Sequence, residues 1–592
     1  MPPCRWGLSH QIWQRKAMPV CWMSGETLRR LRKRYAVVNN PMPRTGRADG
    51  RVGSEIAPLC TGPSDGSSKP GSAHREGQSF HDANGYGFDA YRQLVSFTTL
   101  VVEDGKVVAR GDEQLLSQYP EPQATIDAGG RTLLPGLIDA HGHLMGLGYS
   151  LLEVELRGLA SAEQSANAVA DFAAANPDLE WIRGRGWNQV LWDGKAFPTA
   201  QVLDEVIADR PVVLSRVDGH AIWVNSKAME MAGVDGETQA PEGGEIIRDD
   251  AGTPTGVFID NAELLITDKI PPRSAQEMAK AFDTAVAHLQ ELGITGMHDA
   301  GASAAELEMY HSRADAGELG VRIYPMVSSS DPKLDEILAQ GIHDDPDDWL
   351  DIRSVKIYAD GALGSRGAAL LAPYSDRPDS SGLMIQNQDV LQALVDQVSS
   401  QGFQANMHAI GDRANRVALD VYAPSLEQDP QRRELRHRIE HAQVVSVDDI
   451  PRFTELGVIP SMQPTHATSD KNMAGDRLGQ ERLAGAYAWR FFMDSGSRVA
   501  AGSDFPVEPA NPFYGLHAAV TREDRDDQPE GGWLPGQKLT VAEALRGFTV
   551  DAAYAAHQEG SLGGLMPASG RTLCWWIPIF CVPIRLSSGK HR

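Results

Sequence analysis

An eight-stranded α/β barrel of the TIM (β/α)8 type is the fold class this sequence predicts, with a small β-module before it and a subdomain inserted into it. Three observations carry that prediction. Eight β-like apolar runs recur from residue 134 onward: Leu134–Ala140, Gly293–Met297, Val321–Val327, Arg353–Ala359, Phe403–His408, Leu435–His441, Val458–Gln463 and Arg498–Ser503. Helical patterns such as Ala275–Leu292, Gln388–Gln401 and Arg413–Tyr422 fit between them, as a parallel sheet with crossover helices requires. Chemically reactive side chains fall where the runs end, the rim on which barrel enzymes build their sites.

The flanks and the insertion follow from length and texture. A chain of 592 residues is too long for one small domain, but a barrel alone can use ~250 residues or more. Residues 1–44 are rich in Arg and Lys with one acidic residue, Glu26, and a Gly/Ser/Pro/Arg-rich segment runs on through Ser79. Such a composition buries little surface, so 1–85 reads as a disordered extension. The β-module occupies 95–133. It starts with Ser96–Val102 and Lys106–Ala109 about a Glu103-Asp104-Gly105 turn, and continues through Thr125–Asp127 and Arg131–Leu133. The barrel spans 134–545. Residues from about 150 to 272 exceed a normal crossover and form the inserted subdomain, with a strand signal of their own at Pro211–Arg216.

Composition narrows the chemistry. An apolar share of 42% and a charged share of 23% are those of an ordinary soluble protein. A net charge of -24 argues against a nucleic-acid partner. The five cysteines, Cys4, Cys21, Cys60, Cys574 and Cys581, all lie outside 61–573. A thiolate metal site or cysteine nucleophile in the main body is thereby excluded, and any metal there is held by His, Asp, Glu or Lys. No stretch is long and apolar enough for a spanning helix, and the N-terminus shows no clear signal peptide. A cytoplasmic enzyme is expected, with a small-molecule substrate and a homodimeric partner, and with no membrane contact.

The first apolar run ends in His141-Gly142-His143. Strand side chains two apart leave the same face, so both imidazoles point to one place, an arrangement suited to a transition metal and to zinc first. Later runs bring Lys356, His408, His441 and Asp504 to their own ends. Singly these residues are ordinary: a surface histidine, a salt-bridge lysine, an aspartate at a helix N-cap. Four His, one Lys and one Asp on one rim of one barrel make a metal site. The insertion supplies a pocket wall through Trp181–Gln189, containing Trp187, and through Arg216–Asn225, containing Asp218 and His220. Gly361–Gly367, with Arg366, is a glycine loop beside Lys356. It lacks the Gly-Lys-Ser/Thr ending of a P-loop, so nucleotide binding is rejected.

The motifs PGLIDAHGH (135–143), DGHAIWVNSKAM (218–229), PTGVF (254–258), VKIYADGALGSRGAAL (355–370), HAIGDRA (408–414), RIEHAQ (438–443), SMQPTHATSD (461–470) and GSDFPVEP (502–509) stand in order. Together they resemble the amidohydrolase superfamily, and within it the amidohydrolase-3 group of N-substituted formamide deformylase-like and YtcJ-like proteins. The resemblance runs from about Val95 to Met566. It implies that the β-module is a sandwich built from both chain ends, with 546–566 returning to it. It implies one or two divalent ions, zinc foremost: His141 and His143 on one with Asp504, His408 and His441 on a second, and Lys356 bridging as a carbamate. One ion, with Lys356 contacting substrate, stays open.

The implied chemistry is hydrolysis of a non-peptide carbon–nitrogen bond in a small amide, N-substituted formamide or cyclic amide by metal-activated hydroxide. Asp504 would carry the proton, and His466 and His220 would act on the substrate, with Trp187, Asp218 and Arg366 as further contacts. An ester hydrolase, a metal-assisted decarboxylase or isomerase, and an inactive barrel remain alternatives. The sequence departs from the family after Met566, where Cys574-Trp575-Trp576 and Cys581 stand in place of a closing strand. The segment 567–592 therefore reads as an atypical tail from a shifted reading frame or an altered terminus.

Overall fold

The computed structural model describes residues 77–119 and 124–567, together with a short strand, Phe580–Val582. Most of the expected extension and of the atypical tail lies outside the described residues. Eight strands form one parallel sheet: β1 (Leu137–Gly142), β2 (Ile294–Ala302), β3 (Arg322–Ser328), β4 (Ser354–Tyr358), β5 (Gln404–Ala409), β6 (Arg438–His441), β7 (Ile459–Met462) and β8 (Ala500–Ala501). Each pairs with its sequence neighbour. All eight apolar runs read from the sequence are strands of this TIM barrel. Strand β1 is buried at every position, as expected for a parallel sheet covered on both faces.

The crossover helices show why the local sequence folds as it does. Helix α1 (Ala275–Leu292) opens on a capping box, Ser274 with Glu277, and stops at Gly293, which takes φ 85°. Its Ala281, Phe282, Ala285, Val286 and Leu289 recur at helical spacing and are all buried.

Strand β8 is the shortest of the eight because the chain leaves the ladder to seal the barrel. Gly502 N–H donates to the Met462 carbonyl (3.1 Å), Asp504 N–H to the His141 carbonyl (2.7 Å), and His143 N–H to the Phe505 carbonyl (2.7 Å). The Asp139 carboxylate reinforces this seam. It accepts from Ser503 N–H (3.0 Å), Ser503 Oγ (2.6 Å) and His141 N–H (3.2 Å). A Cβ on Gly502 would lie 2.5 Å from His141 N.

The β-module starts earlier than the sequence suggested. Gly77–His81 is a strand inside the span read as disordered, and Asn84–Phe88 begins within it. Their glycines mask the pattern, while Phe80 and Phe88 are buried. The single run Ser96–Val102 is two strands, Leu94–Phe97 and Thr99–Glu103, in different sheets. The far end of the chain reaches the module through Gly564, whose carbonyl accepts from Phe88 N–H (2.9 Å), and through Leu565 in the module core.

Between β1 and α1 the chain builds a six-stranded sheet of Val154–Glu155, Ile182–Trp187, Val212–Arg216, Ala221–Val224, Gly244–Arg248 and Pro254–Asp260. Among the described residues no helix is long and apolar enough to cross a membrane.

Gly502→Ala is expected to destabilise the folded chain by about 1–3 kcal/mol through forced overpacking at the seam. Chemical denaturation measures it, and an unchanged midpoint would show that the seam tolerates a methyl group.

Candidate metal centre

The rim of the barrel gathers seven side chains. From β1, His141 Nε2 lies 3.7 Å and His143 Nε2 3.1 Å from Asp504 Oδ1. Lys356 of β4 places Nζ 3.3 Å from His141 Nε2. Ring centroids run 4.7 Å from His141 to His441 and 4.6 Å from His441 to His408. His466, from a short helix Pro464–Asp470, stacks on His441 at 5.8 Å and holds Nε2 3.4 Å from Asp504 Oδ2. Nitrogen and oxygen atoms of His141, His143 and Asp504 converge closely enough to share an ion, and so do those of His441, His466 and Asp504. Asp504 thus stands between two candidate ligand groups, and His466 rather than His408 completes the second.

Buried partners fix the direction of each ring. His141 Nδ1 donates to Glu440 Oε2 in a very short contact, which leaves Nε2 as a lone pair facing the centre. Glu440 is held by Arg438, whose guanidinium also donates to the Ala140 carbonyl (2.7 Å), Ser461 Oγ (2.9 Å) and His298 Nδ1 (2.9 Å). His441 Nδ1 donates to Gln463 Oε1 (2.8 Å), whose amide is oriented by its own bond to the Ser461 carbonyl (3.2 Å). Beside His408 lies Asp360, 3.6 Å from Nε2. Its carboxylate collects the N–H groups of Ile410, Gly411 and Ala369.

Electrostatics suit a cation. Burial drives the pKa values of His141, His408 and His441 well below the ordinary histidine range, and neighbouring Lys356 or histidines push the same way, so the imidazoles are neutral. Burial also lowers Lys356, to about 8, against the pull of Glu440 and Asp504. Burial opposes the ionised form of Asp504, but the hydrogen bond from His143 and the surrounding histidines hold its pKa below the usual carboxylate value. His408 Nε2 and His466 Nε2 are buried without a hydrogen-bond partner. Left unpaired, such groups are costly, and a divalent ion would satisfy them. His441 (φ 75°) and Asp504 (φ 63°) occupy the left-handed backbone region, a strain that accumulates at functional sites. The residues present therefore fit a metal.

The centre opens into a cavity of about 1280 Å³ lined by the barrel rim and the inserted subdomain. Asp218 and His220 line it, as the sequence suggested. His220 Nδ1 is 2.7 Å from Asp260 Oδ1, and its ring lies 5.1 Å from that of His408. Burial alone would lower the His220 pKa, but the bond to Asp260 outweighs it and raises the value to about 9. The glycine loop has a steric reason: a Cβ on Gly361 or Gly367 would meet Asp260 Oδ2 at 2.5 or 2.4 Å.

Two expected contacts lie elsewhere. Trp187 is wholly buried in the core of the inserted sheet, packed on Trp192 and Trp223, with Nε1 donating to the Leu214 carbonyl (2.8 Å). Arg366 turns away to pair with Asp376 at 3.0 Å. Sequence reasoning passed over Asp139, Glu440, Arg438, Asp360, Gln463 and Asp260. Polar residues inside the otherwise apolar runs PGLIDAH and RIEH were the available signal for the first three.

A model of the amidohydrolase family matches residues 124–568, which is most of the chain. The chain belongs to the amidohydrolase family. Among family relatives, it is 31% identical to YtcJ of Bacillus subtilis (strain 168), described as an amidohydrolase, over 78% of this chain and 87% of that protein. It is 27% identical to the N-substituted formamide deformylase of Arthrobacter pascens, again over 78% and 87%. Among solved structures, an uncharacterized metal-dependent hydrolase from Pyrococcus furiosus superposes with a TM-score of 0.65 at 27% identity, over 86% of this chain and 99% of that one. With family, fold and rim in agreement, this amidohydrolase is a metal-dependent hydrolase.

Glu440→Gln is expected to weaken metal binding about 10- to 100-fold, the usual loss when the carboxylate behind a ligating histidine is removed. Competition against a chromophoric chelator measures it. Unchanged affinity would show that the Glu440–His141 contact does not serve the metal.

Proposed function

We propose that the protein hydrolyses non-peptide carbon–nitrogen bonds in small amides, N-substituted formamides or cyclic amides. The observation that carries this reading is Asp504, a buried carboxylate shared by two groups of imidazoles and open to the cavity. The name of the Arthrobacter relative, an N-substituted formamide deformylase, supports the same bond class. His141, His143 and Asp504 would hold one ion, and His441 with His466 or His408 a second; the nitrogen-rich, thiolate-free donor set suits zinc. A bound divalent ion supplies Lewis acidity that polarises the substrate carbonyl and acidifies water.

The side chains divide the remaining work. Asp504 takes a proton from the attacking water and returns it to the departing nitrogen as the carbon–nitrogen bond breaks. Where His408 rather than His466 holds the second ion, His466 is free to donate to the carbonyl oxygen as negative charge develops there. His220 is held by Asp260 on the wall contributed by the insertion, where it contacts the substrate. A lowered lysine pKa leaves part of the Lys356 amine neutral near pH 7, the form that adds carbon dioxide to become a carbamate.

Purified protein is expected to carry stoichiometric zinc and to hydrolyse members of an amide and formamide panel. Asp504→Asn is expected to lower kcat by about 10²- to 10⁴-fold, the range of a lost general acid–base group. Protein that, loaded with zinc, turns over no member of the panel would overturn the reading. Mass spectrometry of the intact protein under carbon dioxide tests the carbamate by a 44 Da gain that Lys356→Ala abolishes, an increment given by the roughly 44 Da mass of carbon dioxide added at the lysine amine.

A further inference from the structure

The cavity is lined by a guanidinium, that of Arg185, which has no carboxylate partner among the described residues. Arg185 lies on the strand Ile182–Trp187 of the inserted sheet and lines the cavity. Its Nη2 donates to the Val217 carbonyl (3.0 Å), and its Nε is buried without a partner. Among the described residues no carboxylate stands within ion-pair distance of it. Acids do lie nearby, but they are taken. Asp218 is bound to Arg216, and Glu155 pairs with Arg157 at 3.1 Å. Glu263 makes no ion pair with it either, and burial pushes its pKa well above the usual carboxylate range.

Of the other cations on the cavity wall, Lys356 belongs to the rim itself and Arg525 is exposed and lies over the Tyr514 ring at 5.2 Å. Lys471 pairs with Asp524 at 2.6 Å, and Arg216 also donates to Gln189 Oε1 at 2.9 Å. Burial lowers the pKa of Arg185, and the carboxylate that pulls hardest against that is Asp504 at the centre itself. The guanidinium therefore feels the reactive rim. Gly219, at φ 75°, keeps the approach clear, since even a Cβ there would stand 3.5 Å from both Nη atoms. A guanidinium held this way, with most of its five N–H donors unused, is preorganised for a planar anion. Keeping it desolvated and unpaired is costly unless a ligand supplies the counter-charge.

We propose that Arg185 binds a carboxylate carried by the substrate, so that the preferred substrates are amides bearing a carboxylate close to the scissile bond. This rests on the amide-hydrolase reading above and adds the substrate class to it. Arg185 fixes orientation: its contact holds one end of the substrate while the amide carbonyl meets the rim.

The test uses the zinc-loaded full chain and two matched pairs. N-acetylglycine against N-acetylglycinamide places the charge on the amine side, and succinic acid monoanilide against its carboxamide places it on the acyl side. Hydrolysis is followed for all four, and binding by calorimetry where turnover is slow. The carboxylate member of at least one pair is expected to be preferred by about 10- to 100-fold, the span of one charged hydrogen-bonded contact. Arg185→Gln is expected to collapse that ratio mainly through KM, and Arg185→Lys to restore part of it, since charge returns without the planar fork. No preference in either pair, or a preference that survives Arg185→Gln, would overturn the assignment. Tight carboxylate binding that needs Arg185, with none of the four hydrolysed, would instead sink the amide reading and leave this one standing.

Discussion

The barrel and its chemistry meet at the seam between β1 and β8. Asp139, wholly buried, takes hydrogen bonds from both sides of that seam, and burial lifts its pKa to about 7 despite them. The peptide groups that close the barrel belong to His141, His143 and Asp504, whose side chains form the first candidate ligand group. Closure of the sheet and placement of the donors are thus one event. Gly502 and Gly142 are the small residues that allow it: a Cβ on the first would strike the His141 backbone, and on the second the Phe505 ring at 2.6 Å.

Beneath the rim the protein buries charge in pairs. Arg438 and Glu440 are both fully buried, as is His141 above them. Such a pair contributes little net stability, because desolvation offsets the attraction. Its return is directional. Glu440 sets the tautomer of His141, and Arg438 ties that carboxylate to β1, β2 and β7 at once. The rim is consequently rigid where donors must converge, while burial keeps the imidazoles neutral and available.

The inserted sheet adds what the barrel lacks. It brings His220 and Asp260 over the His408 side of the centre, and Arg185 to the cavity wall. The loop after β4 is shaped around the insertion, since Gly361 and Gly367 make room for Asp260 Oδ2. Its tryptophans do not line the cavity. They are the core that holds the sheet in position, a role suited to large rings with their N–H groups satisfied.

Periodicity made the barrel legible from sequence, because eight buried parallel strands must read as apolar runs. The same rule exposed the rim: His141, His143, Lys356, His408, His441 and Asp504 stood out as polar groups at run ends. Where periodicity was weak the reading failed. Glycine-rich strands at 77–88 looked disordered, and one apolar stretch at 96–102 concealed a crossing between two sheets. Partnership was beyond reach for a different reason. Glu440 meets a histidine 299 residues away, and Asp139 a serine 364 away, so no local spacing encodes either contact. Trp187 and Arg366 sat in suggestive motifs, and packing turned both away from the cavity. The sequence by itself determined the fold class and brought candidate donors to the ends of its strands. Tertiary structure alone decided which candidate donors lie beside Asp504, and that Arg185 reaches the cavity while Asp218 and Glu155 pair with other arginines.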